Sequence, residues 1–187
     1  MKILNFGSLN IDYVYSVDHF VQKGETISSS QMNIFSGGKG LNQSTALGRA
    51  GAQVFHAGRI GKGGEFLVEQ LKEAGVNTDL VVLDSQCSTG HAIIQNDAEG
   101  DNCILLYGGA NQRITKEQID ATLDQFDAGD YLVLQNETSN LPYLMEKAAE
   151  KQMKIVLNPS PMDEKIKALP LDKVTLFFVN EIEAARS

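Results

Sequence analysis

The 187-residue sequence has no tryptophan, four prolines and two cysteines, and its 16 lysines and arginines face 24 aspartates and glutamates. The shortage of positive charge, a formal net charge of -8, argues against nucleic acid or an anionic membrane as the main partner, because both are held by basic patches. It leaves room for a phosphorylated ligand, which helix N-termini and one or two cations can hold on an acidic protein. Cys87 and Cys103 form no CxxC pair and lie near no histidine cluster, which argues against a zinc site and for two free thiols in a reducing compartment. No window approaches the about 20 apolar residues of a membrane span. The opening MKILNFGSLNID is too short and interrupted in its apolar stretch for a signal peptide, so the expected location is the cytoplasm.

Several catalytic signatures are missing as well. The phosphate-loop spacing GxxxxGK[ST] fails at both candidate lysines: Lys39 follows Gly38 but position 33 is Asn33, and Lys62 follows Gly61 but position 56 is His56. Neither GxGxxG nor GxSxG occurs. His19, His56 and His91 share no metal-ligand spacing and are read as surface or structural histidines.

What is present is an alternation of short apolar runs with amphipathic segments. Ile3–Phe6, 53–57, 80–83, 131–134, 155–157 and 174–179 read as strands, the first ending at Gly7. Helices are expected in the segment that follows Gly37-Gly38, with a stop at Gly51, then over 66–74, from a Thr115/Gln118 capping box through Leu123, over 141–151, and from Asn180-Glu181 onward. Strands alternating with helices predict a parallel sheet in an α/β domain. Two stretches differ. Segment 13–36 and the pair Thr89–Gln95 and Cys103–Tyr107, linked by the polar NDAEGDN, alternate with period 2, as in a sheet with one wet face. They are expected to form a small second sheet inserted in the larger domain. The boundaries are then 1–9, 37–87 and 110–187 for the core, and 10–36 and 88–109 for the small sheet.

The most informative segment is Ser36-Gly37-Gly38-Lys39-Gly40-Leu41-Asn42-Gln43. Its glycines sit at a strand-to-helix turn, where backbone can approach a ligand closely and helix N–H groups are free to donate. Lys39 and Asn42 add donors for hydroxyl or phosphate oxygens. Asn10 and Asp12, read at the end of the first strand, are one residue apart, so both side chains can face one way. A carboxylate that accepts and an amide that donates and accepts suit a polyol. Taken alone, the glycine segment also fits a turn with a solvated lysine, and N-x-D also fits a turn.

Taken in order, Gly7-Ser8-Leu9-Asn10-Ile11-Asp12, Gly24-Glu25-Thr26 and GGKGLNQSTALGRAGA at 37–52 resemble the ribokinase branch of the PfkB carbohydrate and nucleoside kinase family. Thr89-Gly90-His91-Ala92, Gly108-Gly109-Ala110-Asn111, Asn158-Pro159-Ser160-Pro161 and Asn180-Glu181-Ile182-Glu183 extend the resemblance over essentially the whole chain. It implies a three-layer α/β/α core, truncated at its C-terminal end, with a β-sheet lid. It also implies ATP-dependent phosphorylation of a sugar, D-ribose to ribose 5-phosphate. A fructose, 2-keto-3-deoxygluconate or nucleoside acceptor is the alternative, as is a non-catalytic sugar-binding or dimerising remnant.

Carried over by residue, the resemblance has Asn10, Asp12, Gly38, Lys39, Asn42 and Glu137 hold the sugar, with Ala92 and Ile104 as apolar contacts from the lid. Asn180 would lie near the ATP phosphates and Glu183 near Mg2+. The family's catalytic base is an Asp in a GAGD-type turn. The nearest approach here, Ala128-Gly129-Asp130, precedes a strand rather than opening a helix and is assigned no catalytic role. The base is therefore expected beyond residue 187, together with the adenine pocket and any K+ loops, and the chain alone is expected to be inactive. A homodimer through the lid sheet is also expected.

Overall fold

A computed structural model describes residues 1–181. Its strands, in chain order, are β1 (Ile3–Phe6), β2 (Asn10–Ser16), β3 (Gln31–Gly37), β4 (Val54–Lys62), β5 (Asn77–Ser88), β6 (Gly90–Asn96), β7 (Asn102–Tyr107), β8 (Tyr131–Gln135), β9 (Lys154–Asn158) and β10 (Val174–Phe177). The helices are α1 (Lys39–Arg49), α2 (Glu65–Glu73), α3 (Lys116–Leu123) and α4 (Leu141–Glu150). The main sheet has six parallel strands in the order β10-β9-β8-β1-β4-β5. Successive side chains of a strand point to opposite faces, and two separate apolar clusters follow from this. Leu4, Phe6, Leu132 and Leu134 pack with Ile119, Leu123, Leu144 and Met145 of α3 and α4 on one face. Val54 and Ile60 pack with Leu41, Leu67 and Leu71 of α1 and α2 on the other. The result is the expected three-layer α/β/α arrangement, and Thr115 caps α3 by accepting from the Gln118 N–H.

The second sheet has four strands in the order β3-β2-β6-β7. β2–β3 and β6–β7 are antiparallel pairs, and β2 and β6 join them in parallel register. The single wet face expected of this sheet is a poorer description of its edge. In β7, Ile104, Leu105, Leu106 and Tyr107 are all exposed, on both faces, because no described element covers that strand.

Other differences have local causes. Asn10 and Asp12 open β2 rather than close β1, since the chain leaves the main sheet at Gly7–Leu9. β5 has 12 residues and extends beyond the apolar 80–83 run at both ends. It borders only β4 in the sheet, so its polar stretch reaches water. Short 3-10 turns at Gly109–Arg113, Glu164–Ala168 and Leu171–Lys173 carry no clear periodicity. The helix expected from Asn180-Glu181 lies almost wholly outside the described residues, and Glu183 is among those outside.

Candidate functional site

The site forms where β1, β8 and the start of α1 meet the lid. Parallel strands present their C-terminal ends on one edge, where ligands collect in open α/β sheets. Gly7 and Ser8 leave β1 there. Gly38 precedes α1 with φ 94°, a backbone state that L side chains resist. A Cβ at Gly38 would also meet the Ser8 carbonyl oxygen at 2.9 Å. At Gly40 a Cβ would lie 2.4 Å from the Ser8 nitrogen, so the first turn of α1 rests directly on the β1–β2 connection. Buried amides lock this contact. Asn5 Nδ2 donates to the Gly40 carbonyl (2.9 Å), while Gln135 Nε2 donates to Asn5 Oδ1 (2.9 Å) and Gln43 Oε1 (2.7 Å).

Glu137, just after β8, is held by this turn. Its Oε2 accepts from the Ser8 hydroxyl and from the Lys39 backbone N–H (2.9 Å), and the Ser8 hydroxyl accepts in turn from the Gly40 N–H (3.2 Å). Lys39 Nζ stands 3.7 Å from Glu137 Oε1. One carboxylate oxygen is therefore committed to the scaffold, while the other remains for a ligand beside a cation. Asp12 differs. No side-chain hydrogen bond from the described residues holds its carboxylate, which fills the space left open by Gly37, where a Cβ would fall 2.2 Å from Oδ2. Burial, and secondarily the negative charge of Glu137, raise its pKa above the ordinary carboxylate value.

A cavity of about 290 Å3 lies between these groups and the lid. Asn10, Asp12, Gly38, Lys39, Asn42, Ala92, Ile104 and Glu137 all line it. Ile94, Leu106 and Pro161 complete the wall; none is named as a site residue by the sequence, although Pro161 closes the quoted Asn158–Pro161 motif and alternation along β6 and β7 from Ala92 and Ile104 points to the other two. Ser8 and Asn111 also belong to the site's framework. Both stand in quoted motifs, yet their role depends on partners far away in the chain. A second space of about 310 Å3 adjoins the first through Asn10, Leu106, Glu137 and Pro161, and opens toward Gln112, Asp163 and Lys165.

The remaining expected positions are elsewhere. Asn180 is exposed, just past β10, on the same sheet edge but two strands from β8. Among the described residues no group of three or more His, Cys, Asp or Glu is arranged to hold a metal ion. Asp130 holds no ligand position: it accepts from the Lys2 and Asp127 backbone N–H groups (2.7 and 3.1 Å), which lower its pKa against the opposing effect of burial. His56 is fully buried behind the site. Its Nδ1 is 2.7 Å from Ser44 Oγ, its Nε2 has no hydrogen-bond partner among the described residues, and burial pushes the imidazole down to about 4. It is a neutral structural histidine.

This geometry has counterparts in known proteins. A ribokinase of Staphylococcus aureus strain COL is 34% identical over 98% of this chain and 62% of that protein. The crystal structure of ribokinase from Cryptococcus neoformans in complex with ADP superposes with a TM-score of 0.82 at 35% identity, covering 97% of this chain and 57% of the other. That of Arabidopsis thaliana ribokinase complexed with ribose and ATP gives 0.81 at 25% identity, covering 99% and 61%. The chain thus spans about three fifths of the length of these relatives. The model of the pfkB family carbohydrate kinases matches residues 1–187. With that match over a parallel α/β core, a small second sheet and the glycine-rich turn that seats Glu137, the chain belongs to the pfkB family of carbohydrate kinases.

Proposed function

We propose that the chain forms the sugar-holding part of an ATP-dependent kinase whose acceptor is D-ribose, phosphorylated to ribose 5-phosphate. The observation that carries this reading is the make-up of the 290 Å3 cavity. Asp12 and Glu137 Oε1 offer acceptors for hydroxyl protons, while Lys39 and the amides of Asn10 and Asn42 offer donors. Ala92, Ile104 and Leu106 on the lid give the apolar side. A polyol satisfies both carboxylates without adding charge, and the lid keeps water, the competing phosphoryl acceptor, from the reacting hydroxyl. The ribokinases named above support ribose as acceptor.

ATP with Mg2+ would supply the transferred phosphoryl group, with Asn180 and Glu183 as the positions that the family resemblance assigns to them. The described residues bind and orient the acceptor. No GAGD-type turn occurs in the 187 residues, so the chain alone binds sugar without turning over ATP. The lid strands carry exposed apolar side chains, among them Ile34, Phe35, Leu105 and Tyr107, and an unpaired β7 edge of this kind favours association. We place a homodimer there.

Calorimetry on the purified chain tests the reading. Saturable D-ribose binding with no ribose-dependent ADP release is the expected result. Tighter binding of fructose or a nucleoside would move the acceptor, ADP release would refute the inactivity, and a monomeric mass in light scattering at high concentration would refute the dimer.

A further inference from the structure

Asn111 is buried in the 3-10 turn after the lid and ties the core to β2. Its Oδ1 accepts from the Leu9 backbone N–H (3.0 Å), and its Nδ2 donates to the Leu9 carbonyl (3.2 Å) and to Asn10 Oδ1 (2.8 Å). The backbone settles the direction of every bond. A peptide N–H can only donate and a peptide carbonyl can only accept, so the Asn111 carboxamide has one permitted orientation. Its remaining N–H then demands an acceptor from Asn10. Asn10 is 4% exposed and lines the ligand cavity, and its Nδ2 has no hydrogen-bond partner among the described residues. The lid closes the arrangement from the other side. Gly90 lies beside Asn10 in register, and a Cβ there would meet Asn111 Nδ2 at 2.3 Å and Asn10 Oδ1 at 2.4 Å.

We infer that Asn111 is a positioning residue that fixes which end of the Asn10 carboxamide faces the cavity, making Asn10 a hydrogen-bond donor to the bound polyol. The inference rests on the polyol reading of that cavity. The same three bonds tie the donor's polarity to the seating of the lid, because Asn111, Asn10 and Gly90 belong to the core–lid junction. A buried donor left without an acceptor is costly, so a ligand that presents an oxygen to Asn10 is preferred over one lacking it.

The test is Asn111→Asp in the 187-residue chain, followed by calorimetry with D-ribose and by side-chain amide NMR from pH 5 to 8. The ionised carboxylate of this variant only accepts, so Asn10 must turn its Nδ2 inward, and ribose affinity falls at least about tenfold. Once protonated, the introduced carboxyl group can again donate, so the loss relative to wild type shrinks as pH falls. The charged and titratable neighbours, Asp12, Lys39, His91, Glu137, Asp163 and Lys165, are common to both proteins and cancel in the ratio. A ratio that does not change with pH, or Asn10 amide resonances identical in variant and wild type, overturns the assignment. One measurement needs neither the variant nor sugar binding: in the ligand-free wild type the Asn10 side-chain amide protons exchange rapidly with water while those of Asn111 are protected. The reverse order overturns the assignment. Absence of ribose binding by wild type would instead remove the polyol reading and leave this exchange result standing.

Discussion

Gly40→Ala puts the glycine-rich turn under a defined strain. The added Cβ would lie 2.4 Å from Ser8 N, 2.5 Å from the Gly7 carbonyl carbon and 2.6 Å from Gly7 Cα. All three are backbone atoms and cannot swing aside. Ordinary contact begins near 3.4 Å, so the difference, about 1 Å, is the distance by which α1 and the β1–β2 connection must separate. That movement acts on the Gly40 N–H bond to Ser8 Oγ, the Lys39 N–H bond to Glu137 and the Asn5 bond to the Gly40 carbonyl. Neutral hydrogen bonds contribute about 0.5–1.5 kcal/mol each and those to charged groups about 1.5–3, so partial loss of the set costs about 3 kcal/mol. For a chain of this size the melting temperature should fall by about 6–12 °C. Glu137 also loses its anchor, so ribose binding should weaken at temperatures where the variant is still folded. Thermal unfolding by circular dichroism reads the first effect, and calorimetry well below either transition reads the second. A variant that melts within about 2 °C of wild type and binds ribose equally well would refute the close-packing argument.

Two further outcomes follow from titrating groups. Asp12 has a raised pKa in the folded chain, so the unfolded chain ionises first as pH rises from the ordinary value of 3.8. Native stability falls across that window and stays lower above it; Asp12→Asn should therefore stabilise the ligand-free chain at pH 7 in urea unfolding while weakening ribose binding, and a destabilised variant with intact binding would contradict this. His56 has the opposite consequence. Its contribution is fully present above 6.5 and is lost as pH falls from there toward about 4, a loss of about 3 kcal/mol. His56→Gln should flatten the urea-unfolding free energy over that range, and an unchanged acid slope would show that another group carries it.

Much of this is legible in the sequence. The glycine turn and the N-x-D pair stand in recognisable motifs and Glu137 follows a readable core strand, but that β2 and β3 of the small sheet bring the first two to the end of β8 is set by tertiary structure. The α/β alternation is equally plain, because Leu4 and Phe6, or Val54 and Ile60, send apolar side chains to a face at period 2. Ser8 and Asn111 escape a sequence reading because their work is long-range: the Ser8 hydroxyl meets a carboxylate 129 residues away and Asn111 meets Leu9 across 102. Asn10 and Asp12 sit one element further on than expected, since nothing local shows that Gly7–Leu9 leave the main sheet. The exposed β7 differs from the expectation because alternation of residue types marks a strand without saying what covers it. The polar end of β5 carries no signal because an edge strand needs no apolar pattern on its open side.

We propose above that Asn10, Asp12, Lys39, Asn42 and Glu137 surround a sugar. Titrating the 15N-labelled chain with D-ribose, followed by assigned amide spectra, tests it most directly. Saturable shifts are expected at 7–12, 37–42, 90–94 and 135–138, with little change at the distant surface around Arg59 and Arg113. No shifts at millimolar ribose, or shifts centred away from the glycine turn, would contradict it.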